Sequence, residues 1–112
     1  MWAFDRKNGK GLFFNAATRA KYDGEWKENL KHGFGIQYYP NGDMYEGNWE
    51  HGKKNGRGVF SFSNKTTYNG EWVDNKANGE GTIIYPNQDK YQGYFKDNLK
   101  DGFGTYMGMV EK

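Results

Sequence analysis

The sequence predicts an all-β fold, a single-layer, twisted antiparallel ribbon of consecutive β-hairpins. Three observations predict it. First, a Tyr-x-Gly-x-aromatic unit recurs with a period of 23 residues, starting at Tyr22, Tyr45, Tyr68 and Tyr91. Second, a Gly-x-Gly triplet starts seven residues after the second aromatic of each unit. Third, apolar and polar residues alternate through each unit, as in a strand with one buried face. A short, regular period indicates an array of similar units rather than a globule around one central pocket.

The period also predicts where the array begins and ends. Trp2 lies seven residues before Gly9-Lys-Gly11, so a partial repeat is expected at residues 2–21. Full repeats start at residues 22, 45, 68 and 91, the array covers residues 2–107, and residues 108–112 form a C-terminal tail. The stretch from Gly11 to Tyr22 is one residue longer than its equivalents, so a bulging connection is expected at residues 15–21.

Each repeat contains the signals of two strands. The Tyr-x-Gly-x-aromatic unit is the first strand, and the second is expected after the glycine triplet, at residues 36–39, 59–62 and 82–85. Turns are expected at Pro40-Asn41-Gly42-Asp43 and at four residues that tolerate a left-handed backbone, Asn29, Gly52, Asn75 and Asn98. In each triplet, as at Gly56 and Gly58, both glycines are expected to leave room for an aromatic ring of a neighbouring strand.

Composition limits the classes of function. Only 35% of the residues are hydrophobic and the mean hydropathy is −1.12, but the aromatic content of 19% can build a core from few residues. A net charge of +2 does not predict nucleic-acid binding. The absence of cysteine excludes disulfides and thiolate metal sites and fits a reducing compartment. The sequence has no signal peptide and no apolar run long enough to span a membrane, and it predicts no metal and no cofactor.

The repeat unit resembles a known family. Tyr22-Asp-Gly24-Glu-Trp26 followed by His32-Gly33-Phe34-Gly35 resembles the MORN (membrane occupation and recognition nexus) repeat, and the likeness extends over residues 2–107. The other copies carry Asn55, Asn78 or Asp101 in place of His32. The resemblance implies a ribbon of hairpins and an interaction function. Similar arrays occur in ciliary and flagellar structures, cytoskeletal scaffolds, membrane-junction proteins and lipid kinases.

The polar residues do not predict an enzyme. His32 and His51 align with turn or connection residues of the other repeats, and neither has a predicted partner or pocket. The carboxylates of Asp23, Glu25, Glu46 and Glu71 recur on the outward face of the first strands, which is typical of a solvated surface. The glycine triplets are not phosphate loops, because none extends to Gly-x-Gly-x-x-Gly before a helix.

The aromatic residues have two interpretations. They form the core of the ribbon, or they also form a concave groove, since a single layer has no second layer to cover them. The predicted groove residues are Tyr22, Trp26, Tyr39, Tyr45, Trp49, Phe62, Tyr68, Trp72, Tyr85, Tyr91 and Phe95. Its expected occupant is an amphipathic helix or an extended segment of a protein partner. The predicted function is therefore a non-enzymatic scaffold or adaptor. The resemblance adds a cytoplasmic location, in a ciliary, flagellar or other cytoskeletal assembly.

The basic residues give an alternative function. Those that follow the aromatic of each repeat are expected to line one long edge of the ribbon: Arg6, Lys7, Lys31, Lys53, Lys54, Lys76 and Lys100. Such an edge would bind anionic phospholipid on a cytosolic membrane face, or remain solvated because carboxylates are interleaved. A regulatory array of a larger enzyme is a third possibility. The final strand, residues 104–110, has no proline and no charge, so self-association through the end strands is also expected.

Overall fold

The computed structural model describes residues 9–108, which form nine strands. They are β1 (Gly9–Phe14), β2 (Lys21–Lys27), β3 (Leu30–Tyr38), β4 (Met44–Glu50), β5 (Lys53–Ser61), β6 (Thr67–Val73), β7 (Lys76–Ile84), β8 (Lys90–Lys96) and β9 (Leu99–Met107). Each strand pairs antiparallel with the next one in the chain, in a single open sheet with extents of 56 × 24 × 18 Å. The predicted all-β ribbon of consecutive hairpins is confirmed. Trp2, the start of the predicted partial repeat, lies outside the described residues.

Each full repeat is a seven-residue strand, a two-residue turn and a nine-residue strand. Both turn residues have positive φ, for example 50° at Glu28 and 72° at Asn29, as in the type I′ turns that match the twist of a hairpin. The sequence analysis identified only the second residue of each turn. Asn75 and Asn98 also link neighbouring repeats. The side-chain oxygen of Asn75 accepts a hydrogen bond from the Lys54 backbone N–H at 2.9 Å, and that of Asn98 accepts one from Ala77 at 2.8 Å.

The nine-residue strand starts directly after the turn, so the prediction that it starts after the glycine triplet was wrong. The physical reason is a β-bulge. In the first full repeat, Gly24 pairs with Gly35 and Trp26 with Lys31, so residues 32–34 lie opposite Glu25 alone. Gly33 has a φ of 67° at this bulge, which a glycine adopts without a steric cost. The bulge absorbs the extra residues, and pairing continues on both sides of it.

The two positions of each triplet require glycine for different reasons. The second glycine lies beneath a tyrosine ring, since a Cβ added at Gly58 would lie 2.5 Å from Tyr45 Cε1. The expectation of a ring above the backbone is therefore correct for this glycine. It was wrong for the first one. Gly56 has a φ of 92°, and the nearest atom to an added Cβ is Asn48 Cβ at 3.3 Å. The first glycine is needed for its backbone conformation.

The core is one continuous row of aromatic rings on one face of the sheet. Its large members are Tyr22, Trp26, Tyr45, Trp49, Tyr68, Trp72, Tyr91 and Phe95, all buried. Tyr22, Tyr45 and Tyr68 each lie edge to face between the second aromatic of their own repeat and that of the next, as Tyr45 does at 5.1 Å from Trp49 and 5.4 Å from Trp72. Tyr91, in the last repeat, lies edge to face with Phe95. The rings therefore cover one another, and this mutual cover replaces a second layer.

Polar atoms of the core rings bond to the backbone. The indole Nε1–H of Trp49 donates to the carbonyl oxygen of Gly35 at 3.2 Å, and Trp72 donates to Gly58 at 3.1 Å. The hydroxyl of Tyr45 donates to the carbonyl oxygen of Asn48 at 2.9 Å. Because a buried polar group without a partner is costly, these bonds fix each ring at one position over the sheet.

The connections on the other edge differ at the first repeat, as predicted. Residues 15–20 form a six-residue loop, whereas residues 39–43, 62–66 and 85–89 form five-residue loops. The backbone N–H of Arg19 donates to the carbonyl oxygen of Asn15 at 2.6 Å, and Arg19 has a φ of 71°. The extra residue is thus accommodated by a closed turn, and β1 keeps its register with β2.

Candidate functional site

The aromatic face, defined as the side of the sheet that carries the core rings, has an outer row of partly covered residues. Tyr39, Phe60, Ile83 and Tyr85 are partly buried and pack against the core, and Phe62 is 43% exposed. The Phe60 ring lies 5.7 Å from Tyr39 and 4.7 Å from Phe62. This outer row connects the second strands of successive repeats above the buried rings.

The structure therefore places the eleven predicted groove residues at two depths. The eight aromatics of the Tyr-x-Gly-x-aromatic units are buried in the core, whereas Tyr39, Phe62 and Tyr85 belong to the outer row. Sequence reasoning missed Phe60 and Ile83. Their signal was strand alternation, because Phe60 lies midway between Gly58 and Phe62 and so points to the same face. A molecule that binds this face contacts the outer row first.

Three lysines also point onto the aromatic face. Lys31, Lys54 and Lys100 pair across strands with Trp26, Trp49 and Phe95, and residues paired in this way share a face of the sheet. Lys54 lies among five rings, with its Nζ 5.4 Å from the Trp72 ring centre and 5.6 Å from those of Tyr45 and Phe60. Its Nζ also donates to the Tyr39 hydroxyl at 3.4 Å. The stems of these lysines cover the rings, and their ammonium groups make cation–π contacts.

Burial lowers the pKa of two of these lysines. Desolvation lowers the pKa of Lys31, and it lowers the pKa of Lys54 together with repulsion from Lys31. Burial disfavours the charged form of an amine, whereas a carboxylate brought next to either ammonium group would favour the charged form and pair with it. The aromatic face thus combines apolar surface with positive charge.

The predicted basic edge is not a single row. Lys53 and Lys76 pair with Glu50 and Val73 on the opposite face and are exposed, whereas Lys31, Lys54 and Lys100 point onto the rings. The separation follows from alternation, since Lys53 and Lys54 are consecutive residues of β5. Arg6 and Lys7 lie outside the described residues. The positive charge of the described part of this edge is therefore divided between two faces.

The opposite face has no arrangement that supports catalysis among the described residues. His51 is exposed, and its Nε2 lies 3.9 Å from the Glu50 carboxylate, which is also exposed. Arg57 and Glu71 form an exposed ion pair of 3.5 Å. Residues 9–108 contain no group of three or more His, Cys, Asp or Glu side chains that could hold a metal ion. None of their elements is an apolar helix of membrane-spanning length.

Exposed aromatics also occur on the opposite face. Phe34 and Phe103 occupy the middle position of their glycine triplets, and Phe103 is 92% exposed. Tyr94 is 53% exposed on β8. These three side chains are more exposed than the outer row of the aromatic face, but no aromatic-ring contact connects them into one surface within residues 9–108.

Comparison with known protein families gives one finding that covers most of the chain. The family model of the MORN repeat matches four consecutive segments, residues 22–44, 45–67, 68–90 and 91–108. The segments start at the four tyrosines that define the 23-residue period, and each contains the last six residues of one seven-residue strand and the whole of one nine-residue strand.

Proposed function

This chain belongs to the MORN repeat family, whose repeats are protein and membrane interaction modules, and on that premise we propose that it is a non-enzymatic scaffold or adaptor. Its aromatic face binds an amphipathic segment of a protein partner, and acidic residues of that segment pair with the lysines among the rings. The observation that carries this proposal is the outer row of Tyr39, Phe60, Phe62, Ile83 and Tyr85, an apolar surface that rests on a rigid core.

The outer row suits recognition because its support is fixed. The rings beneath it are held by edge-to-face contacts and by hydrogen bonds to the backbone, such as that from Trp72 Nε1 to Gly58 at 3.1 Å. A surface that is already ordered loses little conformational entropy when it binds. Aromatic anchors on such a surface contribute most of the binding energy at protein interfaces.

Charge favours an acidic segment. Lys31, Lys54 and Lys100 place three ammonium groups on the aromatic face, each within 4.5–5.9 Å of a ring centre. The ion pairs that Lys31 and Lys54 form with a bound segment are partly desolvated by the rings, which strengthens the attraction between opposite charges, whereas Lys100 is exposed. An acidic amphipathic segment therefore matches both the apolar and the charged parts of the face.

A photo-crosslinking experiment tests the proposal. The photoreactive amino acid p-benzoylphenylalanine is placed at Phe62 on the aromatic face and, in a matched variant, at Tyr94 on the opposite face. The expected result is a discrete protein adduct from Phe62 that excess unlabelled parent chain removes and excess Phe60→Asp chain does not. Adducts that form only from Tyr94, or that both competitors remove equally, would contradict the proposal.

Membrane tethering is the second candidate. Lys53 and Lys76 are exposed at the starts of β5 and β7, so two successive repeats present ammonium groups on the same side of the sheet. Such groups are attracted to anionic lipid headgroups. Carboxylates of Glu50 and Asp74 lie beside them in the chain and reduce the local net charge, which makes this candidate the weaker one.

The proposal includes a cytoplasmic location in a ciliary, flagellar or other cytoskeletal assembly. The family resemblance alone supports this location. The same interaction surface would also serve a regulatory array of a larger enzyme, and the identity of the crosslinked partner distinguishes the two settings.

A further inference from the structure

A pocket of about 300 Å³ opens on the aromatic face over the third full repeat, with lining residues from the second, third and fourth full repeats. We call it the Ala77 pocket. The rings of Tyr68, Trp72 and Phe95 line it together with the outer-row side chains of Phe60, Phe62 and Ile83. Lys54, Thr66, Asn75 and Asn98 supply its polar groups. Its volume is at the lower end of small-ligand sites, which are about 300–1,000 Å³.

One lysine of the repeat pattern is missing from this pocket. Ala77 stands at the position held by Lys31, Lys54 and Lys100 in the other three full repeats. In the first full repeat, the Lys31 ammonium lies 5.4 Å from the Tyr22 ring and 5.0 Å from the Trp49 ring. The rings equivalent to these around Ala77 are Tyr68 and Phe95, and their edge-to-face contact of 5.0 Å is kept. The slot between these rings is thus kept, but no lysine of its own repeat lies in it.

Two further replacements make the empty slot apolar. Ile83 stands where Gln37 stands two repeats earlier, and Phe95 stands where the first three full repeats have tryptophan. The equivalent slot of the first full repeat contains Lys31 and Gln37 among its lining residues. Lysine, glutamine and indole are thus replaced by alanine, isoleucine and a phenyl ring at one site. This combination favours an apolar occupant over a cationic one.

The charge around the pocket supports the same conclusion. Lys54 contributes an ammonium group 5.4 Å from the Trp72 ring. No carboxylate lines the pocket within the described part of the chain. A second cation in the pocket would be repelled by Lys54, whereas an acidic group at its mouth would be attracted.

From these observations we propose that the Ala77 pocket receives one aliphatic side chain, of leucine or methionine size, from the segment bound on the aromatic face, with an acidic residue beside it that pairs with Lys54. This inference rests on the proposed function and makes it more specific. The partner is an acidic amphipathic segment with a single aliphatic anchor at the third repeat. The other three full repeats carry a lysine at the equivalent position, so Ala77 leaves this slot without an ammonium group of its own.

The test uses small probes and the methyl signals of Ala77 and Ile83. N-acetyl-leucinamide, N-acetyl-lysinamide and the blocked tripeptide Asp-Leu-Asp are titrated into the methyl-labelled chain, and chemical shifts are measured by NMR. Saturable shifts of both methyl signals are expected with the two leucine probes, and tighter binding of the tripeptide is expected at low salt. No saturable shift, or tighter binding of the lysine probe, would overturn the inference.

Two variants close the pocket in different ways. Ala77→Lys restores the residue of the other repeats, and Ala77→Met fills the slot without adding charge. Each is expected to weaken leucine-probe binding about tenfold or more, read from Ile83, because the apolar contact area is lost. Ala17→Lys, which adds the same charge on an exposed loop, is the matched control and is expected to bind like the parent. Undiminished binding by folded Ala77→Lys and Ala77→Met would refute the assignment.

The outcomes separate this inference from the proposed function, since the probe titration needs no partner. A partner that crosslinks at Phe62, together with leucine probes that do not bind, would remove the anchor pocket alone. Leucine probes that bind, together with the absence of any partner on the aromatic face, would support the pocket and contradict the proposed function.

Discussion

Replacing Gly58 by alanine is the most direct test of how the array is packed. A Cβ at this position would lie 2.5 Å from Tyr45 Cε1 and closer still to Cζ and Oη, well inside van der Waals contact. Tyr45 cannot move aside within the folded sheet. Its ring has no exposed surface, lies between Trp49 and Trp72, and donates a hydrogen bond to Asn48 at 2.9 Å. The ring must therefore leave its site or the strands must separate.

The magnitude follows from what is lost. Ordinary overpacking by one or two methyl groups costs about 1–3 kcal/mol. Here the displaced group is a fully buried aromatic ring, so the cost approaches that of deleting such a ring, about 3–5 kcal/mol. For a domain of this size, 1 kcal/mol corresponds to about 4 °C in thermal midpoint, so Gly58→Ala is expected to lower the midpoint by about 12–20 °C.

The assay is thermal and urea denaturation followed by tryptophan fluorescence, with two comparison variants. Gly56→Ala, two residues away at a φ of 92°, is expected to cost about 1–3 kcal/mol through backbone strain alone. In a Tyr45→Ala background, Gly58→Ala is expected to add less than about 1 kcal/mol, because no ring remains to be displaced. Costs of Gly58→Ala that are equal with and without the Tyr45 ring would refute the packing argument.

Three further predictions concern the surface and the titrating groups. Replacing Lys53 and Lys76 by Gln is expected to abolish any co-sedimentation with anionic vesicles, measured at low salt because charges are screened over about 8–10 Å at physiological ionic strength. A parent chain that does not sediment with the vesicles would remove the lipid candidate. The parent is expected to self-associate through the unpaired edge of β9 in a sedimentation concentration series, whereas Tyr106→Lys and Met107→Pro are expected to stay monomeric. Equal behaviour of all three chains would exclude self-association through β9. Burial raises the pKa of Tyr68 from 10.0 to about 12, so the contribution of its neutral hydroxyl to folding stability is complete below pH 10 and is lost as the pH rises towards 12. Urea denaturation across this range would detect the loss as a falling midpoint.

The fold could be predicted because the same sequence signals recur in every repeat. The 23-residue period, the alternation around Tyr22 and the turn residues Gly52 and Asn75 agree on the same hairpin, and such agreement between levels is what specifies a structure. The position of the second strand could not be read correctly. A glycine triplet is a usual sign of a break, and only the pairing of residues 32–34 opposite Glu25 shows that it is a bulge within a strand.

The depth of the site residues could not be predicted from the pattern. Alternation shows that Trp49 faces the same side as Tyr45, but not that both rings are buried, with the Lys54 ammonium group 5.9 Å from the Trp49 ring. Replacing Trp49 by alanine would consequently remove a core ring and its bond to Gly35, and would test stability rather than binding. Phe60 is the better position for a binding test, because it lies in the outer row.

The face of the sheet to which each lysine points could not be predicted from the composition either. Lys53 and Lys54 are adjacent and look equivalent in the sequence, yet pairing with Glu50 and Trp49 sends them to opposite faces. The register of the two-residue turn decides this, and the turn was only half recognised. That position 77 lacks the lysine of the other repeats is visible in the sequence, but only the structure shows that Ala77 therefore lines a pocket with Tyr68 and Phe95.

The central claim is that the aromatic face binds the partner. The measurement that tests it most directly is a chemical-shift map of the labelled chain, recorded with the partner segment identified by crosslinking. The largest changes are expected at Tyr39, Phe60, Phe62 and Ile83, with small changes at Arg57 on the opposite face of the same strand as Phe60. Changes concentrated at Phe34, Arg57 and Tyr94, with the outer row unaffected, would contradict it.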